Sequence, residues 1–555
     1  MKPRHPYATA VWVALLAVVP SMCAQEAAVP RHTGVPQDWS QGHIVFSRDT
    51  LALHPNLMDR EPRVLHQMMQ RWQVPNFGFF RGADPLPTVA DKSGSHRDWN
   101  VTPLGGRVAP FRYAAKFSFD PGAPPSCAND YVVFGLSSAS TGTLANLVAF
   151  NNLYVNDTGT GFCSGTAPNV LFAYDITTVT GGRIATSPIL SEDGKEIGFV
   201  ESVPANAGLG ITATAIFHVV TWVGGQGGIG AAAVPTAMTS VPFSVGANDS
   251  ASSPWIDYSA DIVYVGSDNG LVYKITGVFH GIPTLSGAPW PVQAGTLHLT
   301  SPVLDSVRGE LMVGSASGNL FRIDTATGVL STLIVGAGPS SGIVAPPIVD
   351  VTNGTTFVVS ANDGTSAVIV EADTATMLPL AKGRIGLGAA GGTAFNIHPP
   401  ALSNLYFNNP PSGEIRVCGT GAADAIPWQY AFGFIGRTMR TAPSFSQQIP
   451  TNPANSTAAR CAGFTEFFNP NAGGILGTDY FFFGLTKDCT ALGGAGGCVA
   501  EFTNAAPSTI LTTTVCGGPS GIIVDNYSTQ PQASSIYFTA EGVNTAYKFT
   551  QNGLQ

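Results

Sequence analysis

The side chains able to do chemistry are sparse and scattered along this chain. Ten histidines are spread over 555 residues. None stands in a His-x-His or His-Glu-x-x-His spacing that would put two imidazoles on one metal ion. The eight cysteines include no Cys-x-x-Cys pair, so neither a zinc site nor a haem attachment of that type is indicated. Gly225 to Gly230 lacks the Lys and Ser or Thr of a phosphate-binding loop. Asp268-Asn269-Gly270 and Asn362-Asp363-Gly364 lack the spaced carboxylates of an EF-hand and read as hairpin turns.

Five charged or titratable residues share a position relative to the strands. His298 and His398 each precede a short Pro-apolar stretch, and Arg183, Asp249 and Arg440 sit at comparable places. If those stretches are strands lining a central channel, the five side chains gather at its funnel and could hold an anionic or carbohydrate ligand. The plainer reading is that they are solvated or satisfy loop backbone. No residue is assigned as catalytic, and no metal or cofactor is expected. A carboxylate pair for glycoside hydrolysis depends on a spatial separation that a linear reading does not reveal.

The elements that would position these residues follow from composition and repetition. Charged residues make up 11% of the chain, against about 25% in an average soluble domain. Gly (64) and Pro (41) are abundant while hydrophobic content is 44%, which suits many short strands joined by tight turns. The net charge of −9 and the absence of a basic stripe argue against nucleic-acid binding, which rests on phosphate neutralisation.

From residue 109 the chain repeats itself. Ser253-Pro254-Trp255-Ile256-Asp257 and Ser301-Pro302-Val303-Leu304-Asp305 each precede an apolar strand, a turn and an alternating strand. Related openings stand at Ser187-Pro188, Pro346-Pro347, Pro399-Pro400, Ala442-Pro443 and Gly521-Ile522. A further unit surrounds Tyr131 to Leu136, echoed at Tyr480 to Leu485. A period of roughly 45 residues fits a four-stranded propeller blade. One such sheet buries little alone, but sheets stacked around an axis bury both faces. The expected fold is therefore all-β, a β-propeller over 109–555 with seven or eight four-stranded blades, eight being favoured. The last unit has only about three strands, and the segment around Trp99 to Pro103 could supply the fourth and close the ring. Long stretches at 136–165, 201–247 and 446–478 read as insertions decorating the propeller faces.

The N-terminal part differs. Lys2, Arg4 and His5 followed by the apolar stretch Ala8 to Val19 read as a signal peptide over 1–24. Residues 25–108 form an extension and linker, with a helix expected from Asp59 to Trp72. No later segment is apolar enough to span a membrane. Export permits oxidation of the seven remaining cysteines, an odd number, so one stays free or bonds another chain. Cys489 and Cys498 bracket a Gly-rich turn and are the first disulfide candidates; Cys127 and Cys163 flank one unit. Cys418, Cys461 and Cys516 are left unassigned.

Asn319 to Gly328, with its opening at Ser301 to Asp305, resembles a quinoprotein-type (PQQ-like) propeller repeat; Ala173-Tyr174-Asp175 and Ala372 to Thr376 match in part. The chain as a whole is similar to uncharacterised secreted bacterial β-propellers at Arg97-Asp98-Trp99 and Tyr273 to Phe279. The resemblance implies the fold. It does not carry the dehydrogenase activity, because Val329 follows Thr327-Gly328 where those enzymes have a Trp that docks neighbouring blades, and no two cysteines are adjacent. The functional expectation is a non-enzymatic scaffold, secreted or periplasmic, for an extracellular or cell-surface protein or carbohydrate. The alternative is a diverged propeller enzyme, quinone-dependent or carbohydrate-active.

Overall fold

A computed structural model of the chain describes residues 34–72 and 95–551, apart from 103, 121–122, 140–141, 247, 337–341, 389–396, 450–459, 470–477, 488, 490–495, 504–505, 515–517, 526–527 and 529. Residues 1–24, read above as a signal peptide, and Cys516 lie outside these residues. Eight sheets follow one another along the chain, antiparallel except where Ile44–Val45 joins the fifth. Most of their first strands touch that of the next sheet, and the last sheet touches the first in the same way. The first strands therefore line an axis and the sheets are the eight blades of a closed propeller.

Each blade follows from its sequence. In blade 4, Val303–Asp305, Glu310–Gly314, Asn319–Asp324 and Leu330–Ile334 form a meander. Its two inner strands bury apolar residues on both faces, as expected of a sheet sandwiched between others. Gly318, at φ 87°, turns between the second and third strands and approaches Gly336 so closely that a Cβ would collide with backbone. The clusters of buried apolar side chains accordingly lie between blades.

Blade 8 is completed from the other end of the chain. Ile523–Asp525, Ser535–Ala540 and Thr545–Gln551 are joined by Ser95–Val101, which pairs antiparallel with Thr545–Gln551. The register shifts between Arg97 and Trp99. This bulge lets consecutive residues Asp98 and Trp99 both be buried, where strict alternation would expose one. Asp98 meets Lys548 and Thr550, and Lys548 also donates to the Gln532 carbonyl at 2.7 Å. Beside them Lys116 of blade 1 pairs with Asp525 of blade 8 at 2.9 Å.

Two expectations are corrected. Ala442-Pro443 does not open a blade: Phe445–Gln448 pairs with Trp428–Ile435 as the outer strand of blade 6. Blade 7 begins instead at Thr465–Asn469, inside the stretch read as an insertion. The stretches 136–165 and 201–247 likewise contain blade strands, Leu147–Asn151 and Thr214–Thr221 with Met238–Ser244. Long hairpin connections had masked the strand period.

The extension differs in detail too. Helix Pro62–Trp72 is preceded by a separate turn of helix, Leu57–Arg60, with Glu61 extended between them. Pro62 forces that break, since the residue before a proline avoids helical backbone. The Glu61 carboxylate then accepts the Arg63 N–H and caps the helix, a role expected of Asp59.

Three disulfides are formed, Cys127–Cys163, Cys418–Cys461 and Cys489–Cys498. The second joins blade 6 to the connection that leads into blade 7.

Two outcomes are expected. Non-reducing peptide mapping should recover these three links; free thiols at any of the six positions would contradict the pairing. Lys548→Met should destabilise the fold by about 3–5 kcal/mol, because it strands a buried carboxylate. Adding Asp98→Leu should recover most of that loss, as read from urea midpoints.

Candidate functional site

The two ends of the axial channel differ. One is filled by the chain itself. Val35–Gln37 pairs antiparallel with the first strand of blade 1, and Ile44–Val45 pairs parallel with that of blade 5. Between them Trp39 donates from Nε1 to the Pro254 carbonyl (3.1 Å) and meets Trp255 edge-on. His43 Nδ1 lies 3.2 Å from the Pro347 carbonyl. From the following helix Arg63 is fully buried, bonded to Glu61 and to the Ile256 carbonyl and stacked 4.1 Å from the Trp255 ring. Arg71 pairs with Glu466 of blade 7. Residues 34–72 thus form a stopper that touches blades on opposite sides of the axis. A cavity of ≈ 90 Å³ remains between it and blades 6 to 8, lined in part by Gln37, Asp38 and Gln41. The Gln37 amide, Asp38 Oδ2 and Gln41 Oε1 have no protein partner, so the cavity is polar enough to hold water.

The other end is a mouth built from the connections between blades and from the turns between second and third strands. Asp249 precedes blade 3, Asp268 is in a turn of blade 3, and His298 precedes blade 4. Asp268 N–H bonds the Asp249 carbonyl at 3.1 Å, and His298 Nδ1 lies 2.6 Å from Asp268 Oδ1. The His298 and Asp268 side chains are 29% and 37% exposed, so this pair reaches solvent. Burial raises the Asp249 carboxyl above its ordinary range despite bonds from Ser202 and the Ser250 N–H, and nearby Asp268 adds to the shift while Arg183 opposes it.

Across the mouth runs Phe111-Arg112-Tyr113. Phe111 is held at φ 60°, a left-handed conformation uncommon for a bulky residue. Its ring stacks on His398 with centroids 3.4 Å apart. Arg112 donates to the Ala251 carbonyl at 2.7 Å, and the Tyr113 N–H donates to Ser187 at 3.0 Å. This segment ties blades 1, 2, 3 and 6 together over the axis. Burial drives the His398 imidazole down to about 3, helped by the charges of Arg112 and Arg460. It is a neutral ring under the Phe111 strap.

The structure therefore brings Arg183, Asp249 and His298 to one side of the mouth and places His398 on the far side, buried. Arg440 is not with them. It is exposed on the outer hairpin of blade 6, its N–H bonded to the Gly433 carbonyl; it was grouped with the others because Ala442-Pro443 imitates a blade opening. Asp268, Phe111 and Arg112 were missed. Asp268 sits in a turn motif, and nothing linear marks the other two. Among the described residues no group of three or more His, Cys, Asp or Glu side chains could hold a metal ion. No helix among them is long and apolar enough to cross a membrane.

The fold and its axial site define an eight-bladed β-propeller stoppered by its own N-terminal segment. No family model and no curated protein matches the chain. Among solved structures it is similar to BamB from Moraxella catarrhalis, with 13% identity and TM-score 0.42 over 82% of this chain and 99% of that one. It is similar also to the Dos1 propeller, at 11% identity and TM-score 0.48 over 82% and 95%. The WD40 β-propeller domain of Doa1 gives 10% identity and TM-score 0.37 over 82% and 97%.

The His398 environment yields a signed expectation. From about pH 6.5 down to about 3 the unfolded chain binds a proton on this ring and the folded chain does not. His398 therefore subtracts from stability as pH falls through that window, and subtracts nothing above it. The stability of wild type minus that of His398→Gln should become more unfavourable on acidification, by roughly 1.4 kcal/mol per pH unit mid-window. Chemical denaturation at several pH values measures it; a difference independent of pH would contradict the burial of a neutral ring.

Proposed function

We propose that this protein is an exported binding scaffold that takes its ligand, without catalysis at that site, at the strapped mouth of the channel. The observation that carries the reading is the contrast between the ends. One is stopped by the chain's own buried segment, while the other presents the half-exposed Asp268–His298 pair beside Asp249 and Arg183. The group sets two carboxylates beside an imidazole and a guanidinium, so it suits a ligand that both offers and accepts hydrogen bonds, such as the hydroxyls of a cell-surface carbohydrate. Export is supported by the three disulfides, which persist in oxidising compartments.

The test is a screen of the exported protein against immobilised glycans and surface proteins, followed by titration of whatever binds. Asp268→Ala and His298→Ala should each weaken binding at least tenfold without changing the melting temperature by more than a few degrees. A ligand held equally well by both variants would place recognition elsewhere.

A further inference from the structure

Blade 2 holds a carboxylate, an imidazole and a hydroxyl in one line across its three outer strands. Glu201 lies on Glu196–Val203, His218 on Thr214–Thr221 and Ser240 on Met238–Ser244, with His218 directly opposite Ser240. The Ser240 hydroxyl lies 2.9 Å from His218 Nδ1, and His218 Nε2 lies 2.9 Å from Glu201 Oε2. Glu201 and His218 are fully buried, whereas Ser240 is exposed.

The acid is fixed before the imidazole reaches it. Glu201 accepts the N–H groups of Thr178 (2.9 Å) and Val179 (3.1 Å) and the Thr178 hydroxyl. Burial pushes its carboxyl up, but the bonds from His218, Thr178 and Val179 outweigh that and keep it below the ordinary range. An ionised acceptor at Nε2 draws the ring proton there, which leaves the Nδ1 lone pair facing the serine. This is the nucleophile, base and orienting acid of covalent acyl transfer.

The backbone supplies the remaining part. Thr221 N–H bonds the Ala237 carbonyl at 3.1 Å, which makes that a hydrogen-bonded pair. Counting along the ladder, His218 and Ser240 form a non-hydrogen-bonded pair. The Ser240 N–H therefore points away from the neighbouring strand, off the free outer edge of the blade. Pro242 has the same parity, and its missing N–H costs no ladder bond there, which agrees with the count. An outward N–H beside the Ser240 Oγ is placed to donate to an oxyanion forming on an acyl carbon under attack.

We propose that Ser240 is an activated nucleophile and that the rim of blade 2 hydrolyses small carboxylic esters with Ser240, His218 and Glu201. Ser240 Oγ bonds to the ester carbon as its proton passes to His218 Nδ1. The bond to the alkoxy oxygen breaks, and that oxygen takes the proton from His218 and leaves as the alcohol. Water then attacks the acyl-serine carbon, gives its proton through His218 to Ser240, and releases the carboxylic acid. Glu201 accepts the Nε2 hydrogen bond throughout.

The full exported chain is incubated with a fluorophosphonate probe, and separately with p-nitrophenyl acetate. We expect one phosphonyl adduct, mapped to Ser240 by peptide mass, and ester turnover that falls at least tenfold in Ser240→Ala and in His218→Gln, base catalysis being worth about 10²–10⁴. Ser240 is exposed, so Ser240→Ala should leave the melting temperature unchanged. If His218→Gln fails to fold, Ser240→Ala and the adduct map decide alone. No adduct at Ser240, or turnover unchanged in Ser240→Ala, overturns the proposal. Either result leaves the ligand site at the mouth untouched.

Discussion

Ring closure is the constraint on which this structure depends. The contact between Asp98 and Lys548 spans 450 residues and fastens the two ends of the ring in one blade. Around it lie two buried lysines, Lys116 and Lys548, three buried aspartates, Asp98, Asp130 and Asp525, and the tyrosines Tyr154 and Tyr537. Removing so many charges from water is costly. The cost is offset because the groups find partners in one arrangement: Lys116 with Asp525, Lys548 with Asp98, and the Tyr154 hydroxyl donating to Asp130 at 2.7 Å. A slip of one residue in the closing strand would turn Asp98 away from Lys548. Buried ions are weak evidence for added stability, but strand pairing is where they can specify register.

The order of the chain gives closure a second consequence. The stopper, residues 34–72, precedes the closing strand in sequence, so a chain that seals its ring at Ser95–Val101 has its own preceding segment on the axis. Two of that segment's strands lie on first strands that would otherwise present unpaired backbone to the channel. Pairing them removes the exposed edges that invite association with other chains. The helix that follows turns Arg63, His66 and Gln67 inward as well as Val64 and Met68. It packs among backbone carbonyls, which ask for donors.

Repetition made the blades legible. Where the period was regular, as from Ser253 to Asp324, strand limits and turns followed directly from the alternation of apolar residues and Gly-containing turns. It failed in blades 6 and 7, where Ala442-Pro443 copies an inner-strand opening but precedes an outer strand. A Pro-apolar step is compatible with either edge of a blade, because both lack a neighbour on one side. The two disulfides suggested by proximity in sequence or by flanking a unit are present, whereas Cys418–Cys461, which crosses from one blade to the connection after it, had no local signature. The mouth was half legible. Arg183, Asp249 and His298 share a place before blade openings that the repeat makes visible, while Phe111 and Arg112 belong to a strap whose course is set by tertiary contacts.

A propeller separates what its blades do along their length. First strands and the connections between blades meet at the axis, so one residue from each of several blades can share a ligand there. Toward the rim, second to fourth strands can also assemble a constellation within one blade, by cross-strand pairing. Glu201, His218 and Ser240 are brought together in that way, since adjacent strands set side by side residues that are 17 and 22 positions apart in sequence. Such spacings belong to hairpin lengths and carry no motif, so the line of three became visible only when the register of blade 2 was known. The same register exposes the hydroxyl and buries the acid, because the outer strand has a free edge and the second strand has neighbours on both sides. The proposed chemistry at the rim and the proposed recognition at the axis meet in strand Glu196–Val203, where Glu201 faces His218 and the next residue, Ser202, donates to Asp249 at the mouth.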